Sequence, residues 1–212
     1  TLDSLTQYEL WKALWSSLKD RNLWELAHAL ERHDTFCRHF LPQTFVGNHD
    51  VTRIATTLGA THAALAARIL MTLPGMPSVY YGDEQGFVDD GNDKDARESM
   101  FASKVPSYLD NTLLDGSETE AWHGDDEVRP PLPATPGHLS ALGEPLLRAY
   151  QGAIAFRRRN PWLATASVEV LHRDNITLAY RCHPPQGGAE FRVDPDAATL
   201  TVRQGGVDTV LA

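Results

Sequence analysis

The stretch Gln43-Thr44-Phe45-Val46-Gly47-Asn48-His49-Asp50-Val51-Thr52-Arg53 decides the fold when it is read with Gly75-Met76-Pro77-Ser78-Val79-Tyr80-Tyr81-Gly82-Asp83-Glu84. Each contains a short run that is apolar at its centre, the pattern of a strand covered on both faces, and each then turns abruptly polar. The pattern predicts strands over 43–47 and 78–81. Between them an Ala- and Leu-rich run predicts a helix from about Thr61 to Leu73, ended by Pro74 and Gly75. A strand, a crossover helix and a second strand belong to parallel neighbours, so the fold class expected is α/β, with a parallel sheet or (β/α) barrel segment.

Working outward, Ser4 with Gln7 reads as a capping box, and Tyr8, Trp11, Leu14, Trp15 and Leu18 recur at helical spacing to about Lys19. Asn22 and Glu25 repeat that signal before a second helix lined by Leu26, Ala27, Leu30, Cys37 and Phe40 and closed by Pro42. On these stripes Trp11, Trp15 and Trp24 read as core residues. Downstream, residues 82–137 are rich in Gly, Asp, Asn, Pro and Ser and read as long surface loops, with Trp122 as a loop anchor or a sugar platform. A helix is predicted from His138 to Arg159, with Arg157, Arg158 and Arg159 complementing its dipole. Five short alternating runs follow, over 167–171, 177–182, 190–193, 199–202 and 207–211, and predict a small antiparallel β domain.

The bulk composition narrows the function. A chain of 212 residues, 42% of them hydrophobic, can bury one good core. With 19 Lys and Arg against 28 Asp and Glu, its formal charge of −9 argues against nucleic acid and suits an uncharged or cationic ligand. The longest apolar stretch, Ala63 to Tyr81, is interrupted by Arg68 and Pro74, so no membrane span is expected. Cys37 and Cys182 stand far apart with no metal-type spacing, which points to neither a disulfide framework nor zinc and favours a cytoplasmic setting. The chain opens at Thr1 without an initiator Met or a targeting segment, so an upstream portion is expected.

Chemistry is expected just after the buried strands. A carboxylate beside an imidazole grips adjacent sugar hydroxyls, the Asp accepting and the His donating, which suits Asp50 and His49. Asn48 and Asp50 read equally as turn residues or a helix cap. Asp83 and Glu84 read as an acid and nucleophile pair, as metal ligands with His49 and Asp50, or as a turn residue (Asp83) beside a structural carboxylate (Glu84) paired with Arg53 or Arg97.

The two quoted stretches, in that order and with a helix between them, resemble the seventh and eighth barrel strands of the alpha-amylase family, glycoside hydrolase family 13. The closing helix and the β-rich tail resemble its last barrel helix and C-terminal β-sandwich. The resemblance implies a partial (β/α)8 TIM barrel over 1–160, with a long loop over 82–137, followed by a C-terminal all-β domain over 161–212. It implies a retaining reaction on alpha-glucosidic bonds of an alpha-glucan or oligosaccharide. Asp50 would be the transition-state stabiliser, and His49, Asn48 and Arg97 would bind substrate, Arg97 lying in a segment with Asp95 and Ala96 that resembles the one facing substrate. Glu84 and Arg53 would support the site from behind.

In the family, the nucleophile Asp and acid/base Glu follow earlier strands, and nothing before Gln43 matches them. The isolated chain is therefore expected to be inactive and to need the N-terminal half of the barrel. No cofactor or metal is expected on these residues, since the family's calcium is held mostly by that missing half of the full-length parent. The alternatives are a non-catalytic carbohydrate-binding or regulatory module, and a metal-dependent hydrolase built on His49, Asp50, Asp83 and Glu84.

Overall fold

The computed structural model describes residues 3–88, 96, 112–113, 143–184 and 187–211. The chain divides into two compact units. One contains Thr1–Val46, Ala64–Ser78 and Ala149–Ala212, and the other Gly47–Ala63 and Val79–Arg148.

In the first unit, α1 (Tyr8–Asp20) and α2 (Trp24–Cys37) form where the periodicity places them. Their apolar stripes, Leu10, Leu14 and Leu18 on α1 and Leu26 and Leu30 on α2, are at most 2% exposed. Each such side chain contributes roughly 1.5–3 kcal/mol by leaving water. Trp24 departs from the expected core position. It opens α2 off the Leu26–Leu30 stripe and is 50% exposed, its indole N–H donating to Asn175 Oδ1 at 3.0 Å.

The capping box at Ser4 is not formed: its hydroxyl donates instead to the Leu41 carbonyl at 2.7 Å. The reason lies in the residues between Ser4 and the helix. They run extended beside β1 (Gln43–Phe45), with Gln43 N–H donating to Leu5 O and Gln7 N–H to Gln43 O, at 2.9 and 2.8 Å. On its other side β1 pairs in parallel with β2 (Met76–Ser78), Gln43 opposite Met76 and Phe45 opposite Ser78.

The second strand therefore starts two residues earlier than 78–81. It is also less buried than a doubly covered strand, with Met76 42% exposed. Among the described residues β2 has no partner on its outer edge, which leaves that face open.

Helix α3 (Ile54–Thr72) joins the two strands and starts earlier than Thr61, with a break at Gly59, where φ is +70° and ψ 168°. It is apolar and long enough to cross a bilayer by composition alone. Leu65, Ala66, Ala67, Ile69 and Leu70 are, however, completely buried within the protein, as in a core helix. Arg157, in the last turn of α4 (Gly143–Arg159), was expected to serve its own helix dipole. It donates instead to the carbonyls of Met71, Leu73 and Gly75 at 2.6–3.0 Å, so it closes the C-terminus of α3. Residues 138–142, at the expected start of α4, lie outside the described residues.

The tail folds as five strands, β5 (Ser167–Arg173), β6 (Leu178–His183), β7 (Ala189–Asp194), β8 (Thr199–Gln204) and β9 (Val207–Val210), in one antiparallel meander. Among the described residues there is no second sheet to make the expected sandwich. Helices supply the facing layer: Phe156 of α4 packs edge-on to Phe191, and Thr72 of α3 shares a 2.6 Å hydrogen bond with the buried Tyr180 hydroxyl. From α2, Asp34 accepts the Val168 N–H at 2.9 Å and holds the edge strand β5. His33, also on α2, is buried with Nε2 3.0 Å from Pro74 O; a carbonyl only accepts, so Nε2 carries the proton. Burial holds its pKa below the ordinary histidine value. Both cysteines are free, and burial pushes the Cys37 thiol up to about 12.

The second unit holds the loops that continue from β1 and β2. Within it, β3 (Phe87–Val88) pairs antiparallel with β4 (Thr112–Leu113).

Candidate functional site

After β1 the chain buries Val46 and Gly47 and then emerges at His49 and Asp50. Asn48 shapes this emergence: its Oδ1 accepts the Asp50 N–H at 2.8 Å, a turn closed by the residue's own side chain. His49 Nε2 and Asp50 Oδ2 stand 3.3 Å apart with side chains 60% and 49% exposed. An imidazole donor and a carboxylate acceptor are thus presented together to solvent. The turn reading of Asn48 is realised, and that turn displays His49 and Asp50.

Three residues on, the environment reverses. Arg53 is completely buried, and its Nη1 donates to Tyr81 O at 2.6 Å and to Asp83 Oδ1 at 3.0 Å. The guanidinium carbon lies 4.5, 5.1 and 5.4 Å from the ring centres of Tyr80, Tyr81 and Phe87, so aromatic faces enclose the charge. Asp83 is also completely buried. Removing one partner of such a pair leaves an uncompensated charge, at about 3–5 kcal/mol.

Arg53 thus takes Asp83, not Glu84, as its carboxylate partner. One of the expected readings pairs Glu84 with Arg53 or Arg97 and makes Asp83 a turn residue. Asp83 opens a 3-10 turn, Asp83–Gln85, and is also the partner of Arg53. Glu84 is half-buried, its Oε1 accepting from Gln85 Nε2 at 3.1 Å. The turn decides which carboxylate points inward. Gly82, at φ +87°, directs the chain so that Asp83 follows it into the interior, and a Cβ at Gly82 would strike the Phe87 ring at 2.3 Å. A glycine immediately before the acidic pair was the available signal.

Among the described residues no three His, Cys, Asp or Glu converge to hold a metal. His49 and Asp50 face solvent while Asp83 is locked to Arg53, so these described residues do not assemble the four-residue metal site. Arg97, Asp95 and Trp122 lie outside the described residues, as does most of the 82–137 loop. A cavity of about 610 Å³ is lined by Phe156, Arg159, Asn160, Gln204 and Val207 among others, and includes none of the expected site residues.

A model of the alpha-amylase catalytic domain matches residues 4–136, more than half of the chain and inclusive of both quoted stretches. The chain belongs to the alpha-amylase family. It is 37% identical over 132 residues to an alpha-amylase of Streptomyces lividans, an alignment covering 57% of this chain and 13% of that protein. A 4-alpha-glucanotransferase of Thermotoga maritima is 28% identical over 160 residues, covering 70% of this chain and 33% of the relative.

Among solved structures, an alpha-amylase from H. orenii superposes with a TM-score of 0.68 at 23% identity, over 92% of this chain and 39% of that one. A cyclic alpha-maltosyl-(1→6)-maltose hydrolase from Arthrobacter globiformis gives 0.67 at 20% identity, over 100% of this chain and 45% of that one. The fold is that of the alpha-amylase TIM-barrel proteins. The chain spans less than half the length of each of these relatives.

Proposed function

We propose that this chain is the C-terminal portion of an alpha-amylase-family glycoside hydrolase or transglycosylase acting with retention on alpha-glucosidic bonds of an alpha-glucan or oligosaccharide. In this reading residues 1–160 complete a (β/α)8 barrel and 161–212 contribute a C-terminal all-β domain. The observation that carries it is the exposed His49–Asp50 pair, 3.3 Å apart and displayed by the Asn48 turn directly after a parallel strand.

Retaining cleavage proceeds in two displacements. A nucleophilic Asp attacks the anomeric carbon as an acid Glu protonates the departing oxygen. Water, or an acceptor hydroxyl, then releases the sugar from the enzyme with the Glu acting as base. Both groups belong to earlier barrel strands outside this chain, so the chain alone is inactive.

Asp50 accepts hydrogen bonds from the sugar hydroxyls next to the reacting carbon, and its charge stabilises the oxocarbenium-like transition state. His49 donates to a neighbouring hydroxyl, and Asn48 and Arg97 complete the substrate contacts. Glu84 and Arg53 support the site without reacting. No metal or cofactor is assigned to these residues. The free thiols of Cys37 and Cys182 are compatible with a cytoplasmic setting.

The test is Asp50→Asn in the full-length protein assayed on maltoheptaose. Turnover is expected to fall by about 10²–10³-fold, the usual cost of one electrostatic transition-state contact. An unchanged rate removes Asp50 from the site.

A further inference from the structure

The segment from Asn48 to Thr52 carries the two side chains assigned to the sugar, and both of its flanking residues touch one carboxylate. On the near side, Gly47 approaches Asp83 so closely that a Cβ built on it would lie 2.2 Å from Oδ2, a separation no real pair adopts. On the far side, Arg53 Nη1 lies 3.0 Å from Asp83 Oδ1. One oxygen faces each end of the segment.

Asp83 is itself held firmly. It is 0% exposed, and its own N–H donates to Tyr80 O at 3.1 Å. The Gly86 N–H donates to its carbonyl at 3.2 Å, closing the turn beneath it. The rings of Tyr80, Tyr81 and Phe87 enclose the arginine it grips. Asp83 has no solvent-facing surface.

We propose that Asp83 is a positioning residue: it clasps the His49–Asp50 segment at Gly47 and Arg53, sets how that pair is presented, and acts on turnover only through it. The inference rests on the reading of Asp50 given above. It also gives Gly47 a reason, because the carboxylate occupies the place of a side chain there. A reacting-site displacement of the order of 1 Å costs up to about 100-fold in rate, so a clasp of this kind has kinetic consequences without touching the sugar.

The experiment uses the full-length protein, with Asp83→Asn, Gly47→Ala and Asp50→Asn singly and in pairs. On maltoheptaose, Asp83→Asn is expected to lower kcat roughly 10–100-fold with a smaller change in KM. In the Asp50→Asn background the same change is expected to cost under about twofold, because the group it positions is already disabled. Gly47→Ala, which retains both charges, should repeat this pattern if Asp83→Asn does not fold. An equal loss of kcat in both backgrounds overturns the proposal, as does a wild-type kcat in the folded single variants.

A second readout does not depend on catalysis. Amide hydrogen exchange in the peptide spanning 46–53 should accelerate by at least about tenfold in the folded Asp83→Asn or Gly47→Ala protein, while other peptides keep their protection. Unchanged exchange there also overturns the clasp. If Asp50→Asn itself retains full turnover, the reading of Asp50 fails, and the exchange measurement alone decides whether Asp83 holds the segment.

Discussion

Two ion pairs three residues apart make the most instructive comparison in this molecule. His49 and Asp50 are 3.3 Å apart with side chains 60% and 49% exposed, whereas Arg53 and Asp83 are 3.0 Å apart and wholly buried. The separations are nearly equal and the consequences opposite. In water the first pair contributes little to stability. In the interior the second pair is held by what surrounds it, and its loss is felt by the fold. The chain thus moves from a displayed pair to a load-carrying one within a single turn of sequence.

That contrast can be broken experimentally, and the largest effect belongs to the buried pair. Arg53→Ala in the full-length protein should lower unfolding free energy by about 3–5 kcal/mol in a denaturant titration; a loss below about 1 kcal/mol would mean the pair is solvated. Next comes the turn that sends Asp83 inward. Gly82→Ala demands a left-handed backbone from alanine and drives a methyl into Phe87, and should cost roughly 1–3 kcal/mol.

A smaller effect tests whether buried groups elsewhere follow the same rule. The His33 pKa lies below its ordinary value, so the unfolded chain binds the proton more readily. Its stabilising contribution is complete above about pH 6.5 and is lost as pH falls toward the folded value. Tm measured from pH 7.5 to 5 should decline less steeply in His33→Gln than in the parent protein, and parallel curves would exclude His33 as a source of that decline. The smallest effect is expected at the surface pair of Arg173 and Glu31, 2.6 Å apart and 38% and 48% exposed. Glu31→Gln should change stability by about 0.2–1 kcal/mol at most.

Much of the fold was legible because it follows from periodicity. The helical spacing of Tyr8, Trp11, Leu14, Trp15 and Leu18 marks α1, and the five alternating runs after residue 160 became β5 to β9 within one or two residues. What escaped depends on partners distant in sequence. Ser4 resembles a cap until Leu41 takes its hydroxyl, and Arg157 resembles an ordinary dipole partner until the end of α3 and the turn after it offer three carbonyls. The sandwich was implied by the family resemblance alone, and alternation does not say whether a second sheet or helices cover the five strands. Within the candidate site, the turn at Asn48 was readable from its place after an apolar strand. Asp83 was not separable from Glu84, because the direction of a side chain after Gly82 depends on a left-handed turn rather than on residue type.

The most direct test of the division between displayed and buried pairs is to measure kcat on maltoheptaose and Tm together for Asp50→Asn in the full-length protein. The account predicts turnover reduced about 10²–10³-fold with Tm within roughly 2 °C of the parent. Full turnover, or a Tm loss as large as that of Arg53→Ala, would contradict it.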